Sequence, residues 1–147
     1  MKTLSVFVLV VSMLVVAPTL RADSVLRGTM DLTFHPENLP DGPIWIGTIS
    51  GDINGDMSFI NTGGAYRGSS EHFWEKWLIT GTGGNMLAGT DKGVVVYANL
   101  TYRMNGEVTE ATGDWAYLLG RPIHASGVLE FDAEGNLVAA PGTFQIE

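Results

Sequence analysis

Between Ser70 and Thr80 the chain reads SEHFWEKWLIT, and its side chains change character at every second residue. Successive side chains of a β-strand point to opposite sides of a sheet, so this pattern marks a strand with two unlike faces. Glu71, Phe73, Glu75, Trp77 and Ile79 fall on one face, and His72, Trp74, Lys76 and Leu78 on the other. The first face is the one to turn inward, which sets Glu75 between two aromatic rings. A carboxylate so placed loses hydration; its pKa rises, and it can serve as an acid, a base or an orienting acceptor. If this face met solvent instead, Glu75 would merely balance Lys76 or Arg103.

From Asp23 onward, β-branched and aromatic residues come in short runs between Gly, Asn and Asp clusters, and no stretch keeps a helical period beyond two turns. The pattern predicts strands near residues 24–34, 44–52, 56–62, 71–80, 85–90, 92–99, 101–109 and 122–131, with 136–146 as a ninth or closing segment. Strands this short and evenly spaced belong to an all-β sandwich or barrel. ATGDWAYLLG, from Ala111 to Gly120, is the exception. Thr112 or Asp114 can cap it, Tyr117 to Leu119 can coil and Gly120 can stop it, so one helical turn is expected.

The segment GTISGDINGDMSFINT predicts a hairpin whose register can be argued from its faces. A two-residue Asn54-Gly55 turn would mix apolar and polar side chains. A three-residue loop, Ile53 to Gly55 with Gly55 in the left-handed conformation, pairs Asp52 with Asp56 and Ser50 with Ser58. Trp45, Gly47, Ile49, Met57 and Phe59 then share one face. The same segment has Asp52, Asn54 and Asp56 at alternate positions, as a calcium loop would. Met57 stands where such a loop needs glycine, and Gly63 where it needs glutamate, so the hairpin is preferred.

The first 22 residues carry a lysine, an apolar run from Leu4 to Ala17, Pro18 and a small Ala22, which reads as a secretory signal peptide. Cleavage is expected after Ala22 or upstream near Thr19, releasing a secreted or periplasmic domain, residues 23–147. An uncleaved anchor is the alternative, but the run falls short of a full span and carries a proline near its end. Loss of residues 1–22 removes Lys2 and Arg21 and no acid, leaving 6 bases against 16 acids, a charge of −10. Nucleic acid and anionic lipid surfaces are therefore poor partners, and no membrane insertion is expected after cleavage. With no cysteine, disulfide scaffolds, thiolate zinc sites and a cysteine nucleophile are excluded.

No strong catalytic motif is present. The glycine runs TGGAYRGSS and GTGGNMLAGTDKG lack the Gly-Lys-Ser or Gly-Lys-Thr ending of a phosphate loop and read as turns and bulges. His35, His72 and His124 are far apart, so no metal spacing is apparent. His124 and Ser126 lie on one strand face without a GxSxG elbow, so a hydrolase triad has little support and His124 reads as a structural or surface residue. Asn99-Leu100-Thr101 is a glycosylation acceptor by pattern. In LTYRMNGEVT, Leu100, Tyr102, Met104, Gly106 and Val108 oppose Thr101, Arg103, Asn105, Glu107 and Thr109. With the apolar side inward, Tyr102 and Met104 are core or cavity residues. With the polar side inward, Arg103 and Asn105 join Glu75 as catalytic candidates.

TGDWAYLLGRPIHASGVLEF, Thr112 to Phe131, resembles the Thr-Gly-x-aromatic-x-x-x-x-Gly segment before a late strand in the allene oxide cyclase-like barrel superfamily. That group includes plant allene oxide cyclases, dirigent proteins and spirotetronate cyclases. GTGGNMLAGTDKG is similar to the glycine turns of such barrels. The resemblance implies a small antiparallel eight-stranded up-and-down barrel, calycin-like, whose interior receives a lipophilic small molecule. It also implies ring closure or isomerisation without metal or organic cofactor, and a dimer or trimer. Glu75 would correspond by strand position to an interior carboxylate of the cyclases. Trp45, Phe73, Trp77, Tyr97 and Tyr102 are the candidate ligand-binding wall by alternation. Three functions follow: a carrier of a lipophilic molecule, a cofactor-independent cyclase or isomerase, and a filled barrel serving assembly through Trp74, Trp45 and Tyr102.

Overall fold

The computed structural model describes residues 24–147; the expected leader lies outside them. The strands, in chain order, are β1 (Leu26–Phe34), β2 (Trp45–Gly51), β3 (Gly55–Arg67), β4 (Ser70–Thr80), β5 (Met86–Val96), β6 (Thr101–Thr112), β7 (Pro122–Val128), β8 (Glu130–Phe131), β9 (Leu137–Ala139) and β10 (Gly142–Ile146). Strands β1 to β7 pair antiparallel with their sequence neighbours, and β10 pairs with both β7 and β1, closing the sheet. The fold is thus an all-β, closed, eight-stranded antiparallel barrel. Strands β8 and β9 form a short ribbon beside it, attached to β1 by the Thr33–Ala139 pairing. Closure removes the exposed edges that an open sheet of this size would have to protect.

Two expectations about the strands are corrected. Residues 85–90 and 92–99 do not form two strands around a turn at Asp91: β5 runs unbroken from Met86 to Val96. The barrel nevertheless keeps eight staves, because the closing segment supplies one as β10. In the β2–β3 hairpin, Thr48 pairs with Asp56 and Ile49 with Gly55, so the connection is longer than the three-residue loop and Asp52 does not face Asp56. Gly51, not Gly55, takes the positive φ. The longer loop lets Ile53 fold into the core and leaves Asp52 Oδ2 free to accept the Arg27 backbone N–H at 2.8 Å. The two registers share parity, so the predicted division of faces survives: Ile49, Met57 and Phe59 are buried.

The expected helical turn is a 3-10 helix, Gly113–Leu118. Thr112 does not cap it; its hydroxyl donates to Gly84 O, while Asn85 Oδ1 accepts the Asp114 backbone N–H at 2.7 Å. This turn lies at the end of the barrel where β2 meets β3, β4 meets β5 and β6 meets β7. Trp115, Leu118 and Ile53 close that end over Ile79, Leu87, Val108 and Ile146, all buried. Trp115 comes so near Gly81 that a β-carbon there would stand 2.5 Å from its ring. The opposite end, reached by the β1–β2, β3–β4 and β5–β6 connections and the β8–β9 ribbon, is left open.

Candidate functional site

The β4–β5 ladder builds the floor and one wall of the interior. Its inward pairs are Glu71 with Val95, Phe73 with Gly93, Glu75 with Asp91, Trp77 with Gly89 and Ile79 with Leu87. Each ring is opposed by a glycine because it needs the space: a β-carbon on Gly93 would lie 2.2 Å from Phe73 Cζ, and one on Gly89 2.4 Å from Trp77 Cζ2. Gly89 and Gly93 of the run read as turns and bulges are therefore room for aromatic rings within a continuous strand, while Gly68, Gly83 and Gly84 do sit in the connections with positive φ. Between the two ring–glycine pairs, one carboxyl group opposes another.

Toward the open end the interior widens into a cavity of about 290 Å³. Its walls are mostly apolar and come from nearly every stave: Leu32 and Phe34 of β1, Trp45 of β2, Phe59 of β3, Phe73 of β4, Val95 of β5, and Tyr102 and Met104 of β6. Leu129, Leu137 and Ala140 complete them from the segment between β7 and β10. Phe34 and Trp45 pack against each other with ring centroids 4.8 Å apart and planes tilted by 45°. The Tyr102 hydroxyl is tied back by donating to Ala140 O at 3.1 Å. At the mouth, Tyr97 OH donates to Glu71 Oε2. Burial, and then this bond to an anion, push the Tyr97 pKa up.

Glu75 reaches this cavity from β4 and is 5% exposed. Asn61, its cross-strand neighbour on β3, also lines the cavity, but its Oδ1 is engaged by the Gly63 N–H at 2.8 Å, where β3 bulges. Among the described residues no ion pair or hydrogen bond engages the Glu75 carboxyl. Burial, and secondarily the negative charge of Asp91, raise its pKa from 4.5 to about 8. Asp91 rises from 3.8 to about 7 through burial. Asp91 Oδ1 and Trp77 Nε1 both lack a partner among the described residues, and both residues line a void of about 10 Å³ beneath the main cavity. An acceptor and a donor facing one small space is the arrangement a single bridging water would satisfy, at the lower limit of the room it needs.

The sequence-predicted residues are brought together in part. Glu75, Trp45, Phe73, Tyr97 and Tyr102 converge on the cavity. Trp77 does not; it lies deeper, beside Asp91. Arg103 and Asn105 are corrected outright: the apolar face of β6 turns inward, and both are exposed on the outer wall. There Asn105 Oδ1 meets His124 Nδ1 at 2.6 Å, which makes His124 part of an outer polar cluster. Asp91 was missed because GTDKG reads as a turn. Its signal was its place two residues from Gly89 and four from Leu87 and Val95, which are buried on that face, between exposed Thr90 and Lys92.

A neutral carboxyl at the inner end of an apolar cavity can donate a hydrogen bond or a proton to an oxygen or nitrogen of a bound molecule. No protein-family model, curated protein or solved structure matches this chain.

Proposed function

We propose that this protein binds one lipophilic small molecule inside its barrel. The observation that carries the reading is the cavity of about 290 Å³, walled by aromatic and aliphatic side chains and open at one end while the other is plugged. Pockets of this kind, concave and apolar with a few converging polar groups, are the usual form of a small-molecule site. A filled barrel serving only assembly would need no such space. The resemblance of residues 112–131 to the allene oxide cyclase-like superfamily supports the same reading.

One observation favours a second reading, a cofactor-independent cyclase or isomerase. Glu75 is buried, unpaired among the described residues, and lines the cavity in which a substrate would sit. As the neutral acid at pH 7, it could stabilise charge developing on a substrate oxygen, while the walls hold the reacting atoms in one shape. Arg103 and Asn105, on the outer wall, take no part.

Native mass spectrometry of the full chain from its own host, followed by organic extraction, tests both. A stoichiometric copurified molecule is the expected result. Incubating that molecule with wild type and Glu75→Gln then separates carrier from catalyst: unchanged compound with both means carriage, and conversion lost in the variant means catalysis. An empty chain that refuses lipophilic probes would overturn both readings.

A further inference from the structure

The lining of the cavity is unbalanced in charge. Glu71 and Glu75 are on it, Asp91 is the cross-strand partner of Glu75, and no lysine, arginine or histidine is among its residues. The cations nearest in sequence, Lys76 and Lys92, are exposed on the outer wall. The groups that face Glu75 from the elements around it are Asn61 on β3, Asp91 on β5 and Tyr102 on β6, with Glu71 on its own strand. None can carry a positive charge.

A buried carboxyl costs stability unless it is paired or protonated, and the usual partner is a cation from the same chain. Here that partner is absent among the described residues, although the side chain is more than nine-tenths buried and borders ligand-sized space. The rest of the wall suits the missing charge. Phe34, Trp45, Phe59, Phe73, Tyr97 and Tyr102 surround the same space, and aromatic faces attract a cation strongly once it is desolvated. A carboxyl group at the inner end of an aromatic box, once ionised, is complementary to an ammonium head on an apolar body. Once ionised, it repels a fatty acid or any other lipophilic anion.

Resting on the reading of the cavity as a ligand site, we infer that its ligand is a lipophilic amine, bound as the ammonium ion with its nitrogen at Glu75 and its apolar body among the rings. The proton balance is explicit. An amine that is protonated in solution enters as the cation, Glu75 releases its proton to the solvent, and a carboxylate–ammonium pair remains. The raised pKa of Glu75 in the empty barrel then predicts uptake linked to proton release near neutral pH.

Isothermal titration calorimetry of the full chain with phenylpropylamine and with its uncharged analogue phenylpropanol tests this. The amine should bind at least about tenfold more tightly than the alcohol at pH 7.5 and weaken by about a hundredfold at pH 5. Titrations in phosphate and in Tris should differ by the ionisation heat of about one proton released per amine bound. Glu75→Gln should lose the preference for the amine while still binding the alcohol; Asp91→Asn, which keeps Glu75, should retain it. Circular dichroism melts of both variants confirm that they are folded. If amine and alcohol bind equally, or if Glu75→Gln retains the preference, the amine inference falls and the cavity reading stands. If neither compound nor any lipophilic probe binds, both fall.

Discussion

Glu75 on β4 stands directly opposite Asp91 on β5, and both residues belong to the inward face of the barrel. Two acids in register are unfavourable when both are ionised, and burial disfavours ionisation further. This pair therefore holds protons well above the ordinary carboxyl range.

The first prediction is a stability that falls as pH rises. Both groups have higher pKa values folded than unfolded, so the folded state binds more protons between the ordinary carboxyl range and about 8. The stability that their protonated forms retain at acid pH is lost as pH climbs through that window. The unliganded protein should melt at a lower temperature at pH 8.5 than at pH 5. Glu75→Gln should flatten the dependence, raising stability at pH 8.5 by roughly 2–4 kcal/mol and changing it little at pH 5. A variant equally sensitive to pH would show that the pair ionises without cost.

Gly89→Ala tests the packing of the ring pairs. Its β-carbon would meet Trp77 Cζ2 at 2.4 Å and Glu107 O at 2.0 Å, and the latter is backbone that cannot swing away. Urea denaturation should show a loss of roughly 2–4 kcal/mol, at the high end for overpacking. A loss below about 0.5 kcal/mol, the range of an ordinary surface change, would mean that the strands part easily at this point.

Leu118→Ala removes a fully buried side chain from the plug. Where the surrounding atoms cannot collapse, such a deletion costs about 2–5 kcal/mol. The expected outcome is an unfolding free energy lowered by that amount with lipophilic probe binding retained, because the plug and the cavity lie at opposite ends. Loss of probe binding with full stability would contradict the division of the interior.

Val95→Trp places a large ring in the cavity wall opposite Glu71. Its volume has open space to enter, so thermal melts should move little while binding of a fluorescent lipophilic probe drops by at least about tenfold. Unchanged probe affinity would place the ligand elsewhere.

Much of the fold was legible because strand periodicity is local. The alternation in residues 70–80 assigned the inner face of β4 correctly, including Glu75, and the hairpin pattern divided its faces correctly even though the loop was longer than expected. Parity survives such an error, since shifting the pairing by an even step leaves every side chain on its original side. Among the glycines, Gly68, Gly83 and Gly84 do mark connections, but Gly89 and Gly93 lie inside β5. Glycine at a turn and glycine making room for a neighbour's ring look identical in one dimension, and only the ring on β4 tells them apart.

The sequence by itself determined the all-β class and the division of side chains between the two sides of β4 and of the β2–β3 hairpin, because these depend on residues within a few positions of one another. Tertiary structure decided that Asp91 joins Glu75, that Arg103 and Asn105 face outward, that Trp77 lies below the cavity and that one end is plugged while the other is open. Those facts depend on register between strands and on closure of β10 onto β1, which bring together residues whose side-chain volumes no local pattern can compare.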